Sequence, residues 1–131
     1  MIALDTNVLI RYLVRDDAKQ ADVAAEFLQK LSAERPGYVS TPVVTELEWV
    51  LRKGYGLEAT AIRTAITKLL EVPNLVFDAE DAVRRAAENR RGDFVDRLIH
   101  FIGEAAGCER TVTFDRNFAR LSGVERLESH D

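Results

Sequence analysis

The chain is poor in the residues that staple or span. A single cysteine, Cys108, in 131 residues leaves no internal disulfide partner. No cluster of cysteine and histidine exists to hold a structural zinc. No apolar run approaches the ~20 residues that a membrane span needs. The opening Met1-Ile2-Ala3-Leu4-Asp5 carries no basic segment and no cleavage-site pattern, so no signal peptide is expected. Together these absences point to a cytoplasmic protein. Three prolines and seven glycines are scattered as punctuation, and no repeat, linker or low-complexity stretch interrupts the chain. A surplus of positive charge is missing too: the net charge is −4. Nucleic-acid binders usually carry a basic patch, so this balance argues mildly against one. An enzyme whose own carboxylates are neutralised by metal ions can still show it, and the placement of those carboxylates therefore matters more than their sum.

What is present suits one globular domain over residues 1–131, with 47% apolar and 31% charged residues. A short apolar element, Ile2-Ala3-Leu4, ends at Asp5-Thr6-Asn7. A helix follows, with Val8, Leu9, Tyr12 and Leu13 at helical spacing. Asp16-Asp17 opens a second helix whose buried stripe is Ala21, Ala24, Ala25, Leu28 and Leu31. Pro36-Gly37 breaks the chain before a strand at Tyr38-Val39-Ser40. Thr41-Pro42 reads as an N-cap with proline at the first helical position. That helix passes Glu46 and Trp49 to about Lys53, burying Val43, Leu47 and Val50. A further helix carries Ile62, Ala65, Ile66, Leu69 and Leu70. After the Pro73-Asn74 turn come a strand at Leu75-Val76-Phe77 and a helix capped by Asp78, with Ala82, Val83, Ala86 and Ala87 inward. Gly92-Asp93 separates it from a helix showing Phe94, Leu98, Ile102 and Ala105 on one side. Thr111 to Phe114 is a fourth strand, followed by Asp115 and a short helix, and residues 124–127 form an edge strand. Strands alternating with helices predict a three-layer α/β/α sandwich with a mainly parallel central sheet.

Asp5 and Asp115 each lie just past a strand, where open α/β sheets place their ligand crevice. Each could equally be a plain helix cap. Glu46 sits at the edge of an apolar helix face, where a carboxylate needs a cation or hydrogen-bond donors; a nearby arginine would meet that need. Asp93 and Asp96 lie one turn apart at a helix start. Capping explains both, and so does a metal. Several carboxylates converging from separate segments would repel one another and bind protons more tightly unless a divalent cation sat among them. Hard oxygen donors favour Mg²⁺ or Mn²⁺, and phosphodiester hydrolysis is the natural chemistry of such ions.

Four segments resemble, in order, the motifs of PIN domains. They are Leu4-Asp5-Thr6-Asn7-Val8-Leu9, Thr41-Pro42-Val43-Val44-Thr45-Glu46-Leu47, Asp93-Phe94-Val95-Asp96-Arg97-Leu98-Ile99 and Thr113-Phe114-Asp115-Arg116-Asn117. Within that family the small chain is most similar to VapC-type toxins of toxin–antitoxin pairs. The resemblance implies an Mg²⁺- or Mn²⁺-dependent endoribonuclease. Asp5, Glu46, Asp96 and Asp115 would be its acidic residues, with Asp93 an additional ligand ranked below them. Asp5, Asp96 and Asp115 would hold one or two ions, and Glu46 would bind a second ion or orient the attacking water. Thr6, Asn7, Thr113 and Asn117 would orient carboxylates and water from behind. His100, where related chains usually carry a small residue, reads as a partly exposed bystander.

Substrate RNA needs cations near its phosphates. Arg11, Arg15, Arg90 and Arg91 read mostly as solvated surface charge, whereas Arg97 or Arg116 is expected near substrate. Trp49 and Tyr12 are read as core or interface residues, and Cys108 as a buried small apolar one. Partners implied by the resemblance are a VapB-type antitoxin that masks the acidic groove and a second copy of the chain in a homodimer. Two competing readings stand beside this one. A phosphatase-like or receiver-like domain would phosphorylate Asp5, but no lysine follows a later strand as such domains require. A PIN-like module that only binds RNA or protein would need no Mg²⁺.

Overall fold

The computed structural model describes residues 1–128. The chain divides into two compact units, Met1–Glu80 and Asp81–Asp131. All strand pairs are parallel, and helices separate every consecutive pair except the last, which is bridged by a short 3₁₀ turn. This is the α/β, mainly parallel character that the sequence pattern predicts.

In the first unit, β1 (Ile2–Ala3), β2 (Gly37–Val39) and β3 (Leu75–Phe77) form one sheet in that order. Two helices connect the first pair: α1 (Thr6–Val14) and α2 (Ala18–Gln29). Between them the backbone turns through Arg15 at φ 60°, and the turn is tied by Arg11 to Asp16 and by Arg15 to Asp22. Asp17 caps α2 by accepting from the Gln20 amide. Ala21, Ala24, Leu28 and Leu31 are buried as the spacing requires. Gly37 begins β2 because nothing larger fits there. A β-carbon at that position would come within 2.9 Å of the Leu4 and Leu31 methyls and 3.0 Å of a Leu75 methyl.

The next helix, α3 (Thr41–Trp49), is capped by Ser40 rather than Thr41, which moves Pro42 to the second helical position, where its missing N–H is still no loss. It widens into a single π-turn, Val50–Gly54, where the Tyr55 amide reaches back to the Val50 carbonyl. Its buried face is Val44, Leu47, Glu48 and Leu51, while Val43 and Val50 are only half-buried. Trp49 is exposed and does not belong to the core. Helix α4 (Ala59–Leu70) buries Ile62, Ile66, Leu69 and Leu70, and β3 follows the Pro73-Asn74 turn.

Helix α5 (Glu80–Glu88), all but its first residue in the second unit, buries Ala82, Val83, Ala86 and Ala87. Helix α6 (Phe94–Ala105) is capped by Asp93. Its buried face is Phe94, Arg97, Leu98, His100 and Phe101, and Ala105 points to solvent. The expected stripe ending at Ala105 is thus rotated, because two polar side chains, Arg97 and His100, occupy the buried face. Strands β4 (Thr111–Thr113) and β5 (Val124–Arg126) pair in register Thr111 to Val124. A 3₁₀ turn at Phe118–Arg120 lies between them. Cys108 is exposed, not buried.

Candidate functional site

The sequence carboxylates fall into two places. In the first unit, Asp5 leaves the end of β1 and caps α1, its Oδ1 accepting from the Thr6 amide at 2.7 Å. Its side chain is exposed at a groove of about 760 Å³ along α1 and α2, lined also by Asn7, Arg11 and Lys19. Arg11 is held there by Asp16 and Gln20. Thr6 is buried, and its hydroxyl oxygen has no hydrogen-bond partner among the described residues. Glu46 is exposed on α3 and lines neither this groove nor the pocket described next. The buried acid of α3 is instead Glu48, 3% exposed, whose Oε1 accepts from Arg52 Nε at 2.6 Å. Sequence reasoning passed over Glu48. Its only visible signal was an arginine one turn further on, at i+4.

In the second unit, Asp93, Asp96 and Asp115 line one pocket of about 610 Å³ with Asn117, Arg91 and Arg120. Each carboxylate is set by a different local device. Asp93 is the N-cap of α6, its Oδ2 accepting from the Asp96 amide at 3.2 Å. Asp115 follows β4 and turns the chain. Its Oδ1 accepts from the Asn117 and Phe118 amides at 2.7 and 3.2 Å. Thr113 Oγ1 accepts from the Asp115 amide at 3.0 Å, which fixes that residue's backbone. Asp96 lies half-buried in the first turn of α6. Burial raises its carboxyl above the usual aspartate range, the charges of Asp93 and Asp115 raise it further, and Arg97 opposes them.

Arg97 is not a substrate-facing cation. It is 3% exposed, and its guanidinium donates to the carbonyls of Ala86, Arg91 and Gly92 at 3.0, 2.8 and 2.6 Å. Ala86 lies in the last turn of α5, where carbonyls lack intrahelical partners, so Arg97 closes that helix end. Periodicity alone could have placed it inward, since it lies three residues after Phe94 and directly before Leu98. Arg116 is exposed and does not line the pocket. The cations that do line it, apart from Arg97, are Arg91 and Arg120, both exposed. His100, expected to be partly exposed, is buried.

The donor set suits a hard divalent cation: carboxylate oxygens share one pocket, and the strain of their like charge shows at Asp96. Among the described residues, no group of three or more Asp, Glu, His or Cys side chains forms a ready-made metal cage. Mg²⁺ does not require one, because it commonly keeps several waters and takes one or two carboxylates plus substrate phosphate.

A parallel α/β chain with carboxylates placed after its strands and at a helix start has the layout that an acidic-pocket hydrolase needs. The chain belongs to the PIN-domain family: the family model described as PIN domain matches residues 2–124, running through both units. PIN domains are in general metal-dependent nucleases, and nuclease is the coarse activity that membership gives this chain. No curated protein matches it. No helix among the described residues is long and apolar enough to cross a membrane.

Proposed function

We propose that the chain is an endoribonuclease that hydrolyses RNA phosphodiester bonds with Mg²⁺ or Mn²⁺, and that it acts as the toxin of a type II toxin–antitoxin pair in the cytoplasm. One observation carries the nuclease reading: Asp93, Asp96 and Asp115 line a single pocket, and Asp96 there binds its proton more tightly than a free aspartate. Such a pocket gains most from a divalent cation. Asp96 would hold it, with Asp115 and Asp93 beside it. Asp5 and Glu46 enter the proposal only as the acidic residues of the motifs that carry them. When bound, the cation would supply Lewis acidity to the phosphate and make a water easier to deprotonate for attack.

The chain's own residues supply the rest. Asp93 and Asp115 each spend oxygens on backbone amides, so their remaining oxygens are held in fixed directions. Thr113 anchors the turn that presents Asp115. Arg91 and Arg120 give the pocket positive charge that attracts the RNA backbone. No side-chain nucleophile is needed. The toxin assignment rests on the likeness of this small chain to VapC-type toxins within the family. It brings with it a VapB-type antitoxin, whose basic side chain would satisfy the same acidic pocket, and a homodimer.

The deciding experiment is cleavage of tRNA, rRNA and mRNA with Mg²⁺, with Mn²⁺ and with EDTA, run beside Asp96→Asn and Asp5→Asn. Cleavage that needs the metal and disappears in both variants supports the reading. RNA bound equally well in EDTA and never cut would make the chain a binding module instead.

A further inference from the structure

His100 is a buried titratable group that the proposed reaction leaves without a task. It is 3% exposed, and its surroundings are specific. Nδ1 lies 2.8 Å from the Thr111 hydroxyl at the start of β4. Nε2 lies 3.5 Å from Glu104 Oε2 on the same helix, and Glu104 is also 3.4 Å from Arg85 of α5. With the Nε2 proton directed at that carboxylate, Nδ1 accepts from the Thr111 hydroxyl. The ring lies against Gly123, where a β-carbon would come within 2.9 Å of Cε1 and 3.0 Å of Nε2. Gly123 has φ +87°, so both its backbone and its lack of a side chain serve this contact. The Gly123 carbonyl in turn accepts from the Thr111 amide at 3.1 Å. One imidazole thus joins α6, β4 and the entry to β5.

The placement of this joint matters because of what its two ends carry. His100 is one helical turn after Asp96, on the same side of α6. Thr111 is four residues before Asp115, at the far end of β4. We infer that His100 is a positioning residue: its bond to Thr111 fixes α6 against β4 and so sets the spacing of Asp96 and Asp115 across their pocket. This deepens the nuclease reading and rests on it. Two carboxylates from different elements hold one cation only if those elements keep their separation, and a buried hydrogen bond holds separation better than apolar packing, which tolerates sliding.

The test uses the full chain and three variants: Thr111→Val, which keeps the shape and removes the hydroxyl; His100→Leu, which keeps the bulk; and His100→Asn, whose amide stands where Nδ1 stands. Folded fraction is read by circular dichroism, Mn²⁺ affinity by paramagnetic resonance titration, and kcat and KM on RNA separately. The expected result is that Thr111→Val and His100→Leu lose about 10- to 100-fold in Mn²⁺ affinity and kcat. KM stays within about twofold and the fold is retained, and His100→Asn recovers most of the loss. If His100→Leu does not fold, Thr111→Val carries the same comparison. Folded variants with wild-type kcat and wild-type Mn²⁺ affinity overturn the positioning role alone. A wild-type chain that neither binds Mn²⁺ nor cuts RNA overturns the nuclease reading and the positioning role with it.

Discussion

Replacing Arg97 separates a structural arginine from a substrate-binding one. The Arg97 guanidinium serves three carbonyls. Arg91 and Gly92 are exposed, so water can take over at their carbonyls. Ala86 is fully buried, and its carbonyl belongs to the last turn of α5. A buried acceptor left without a donor costs about 1–3 kcal/mol, and each rehydrated carbonyl loses roughly 0.5 kcal/mol more. Arg97→Met keeps the apolar stem and removes only the fork, so the expected destabilisation is about 3 kcal/mol. For a chain of this length that is a fall of roughly 10 °C in Tm. Arg97→Lys recovers less than half, because one ammonium cannot take the places of both Nε at Ala86 and Nη1 at Arg91 and Gly92. Urea denaturation followed by far-ultraviolet circular dichroism measures both. A methionine variant within about 0.5 kcal/mol of wild type, with a raised KM for RNA, would refute this account and restore Arg97 as a substrate contact.

Three further outcomes follow from the same structure. Asp96 has a raised folded pKa, so its contribution to stability is fully present below the ordinary aspartate pKa and is lost as pH rises through the raised value. Metal-free Asp96→Asn should therefore melt higher than wild type at pH 7, with the gap closing in acid, and excess Mn²⁺ should stabilise only wild type; differential scanning fluorimetry with and without EDTA reads both. Asp16 has a lowered pKa, chiefly because the Tyr55 hydroxyl donates to it, so that bond contributes above the ordinary aspartate pKa and is lost as pH falls through the lowered value. Tyr55→Phe should lower Tm slightly at pH 6 and leave it unchanged near pH 2 relative to wild type. Gly37→Ala should cost about 1–3 kcal/mol by overpacking, and Leu31→Ala in the same chain should return part of it, since Leu31 supplies one of the methyls in the way.

The elements that sequence placed best are those whose signal is local. Strand β3 lies where Leu75-Val76-Phe77 put it, and Asp17 and Asp93 cap the helices they precede. The third helix is harder. Val43, Leu47 and Val50 satisfy helical periodicity, and so do Val44, Leu47, Glu48 and Leu51; a charged residue weighs against the second set. Its neutralisation by Arg52 one turn later is a three-dimensional fact, and it reverses the choice. On α6 the same misreading occurs twice. Arg97 is admitted inside by carbonyls of a preceding segment, and His100 by Thr111 and a glycine more than twenty residues away. Polar residues reach a buried face when distant groups supply their partners; helical spacing can admit them, as it does Arg97, but does not reveal those partners. The acids named from the sequence were Asp5, Glu46, Asp96 and Asp115 with Asp93 below them; the pocket of the second unit is lined by Asp96, Asp115 and Asp93, each at a strand end or helix start.

The three acids of that pocket differ in how much a cation could give them. Asp93 and Asp115 are already compensated, one by an amide at the start of α6 and the other by two amides of a turn. Asp96 accepts no hydrogen bond among the described residues, is half-buried, and faces both neighbours' charge. Capping and metal binding are therefore not rival explanations of these residues. The caps fix two carboxylates in place, and burial together with the charge of those two neighbours leaves Asp96 with the most to gain from a cation. On this account Asp93→Asn should weaken the helix start more than it weakens Mn²⁺ binding, and Asp96→Asn should do the reverse. Equal effects of the two substitutions on both quantities would mean that the pocket has no such division of labour.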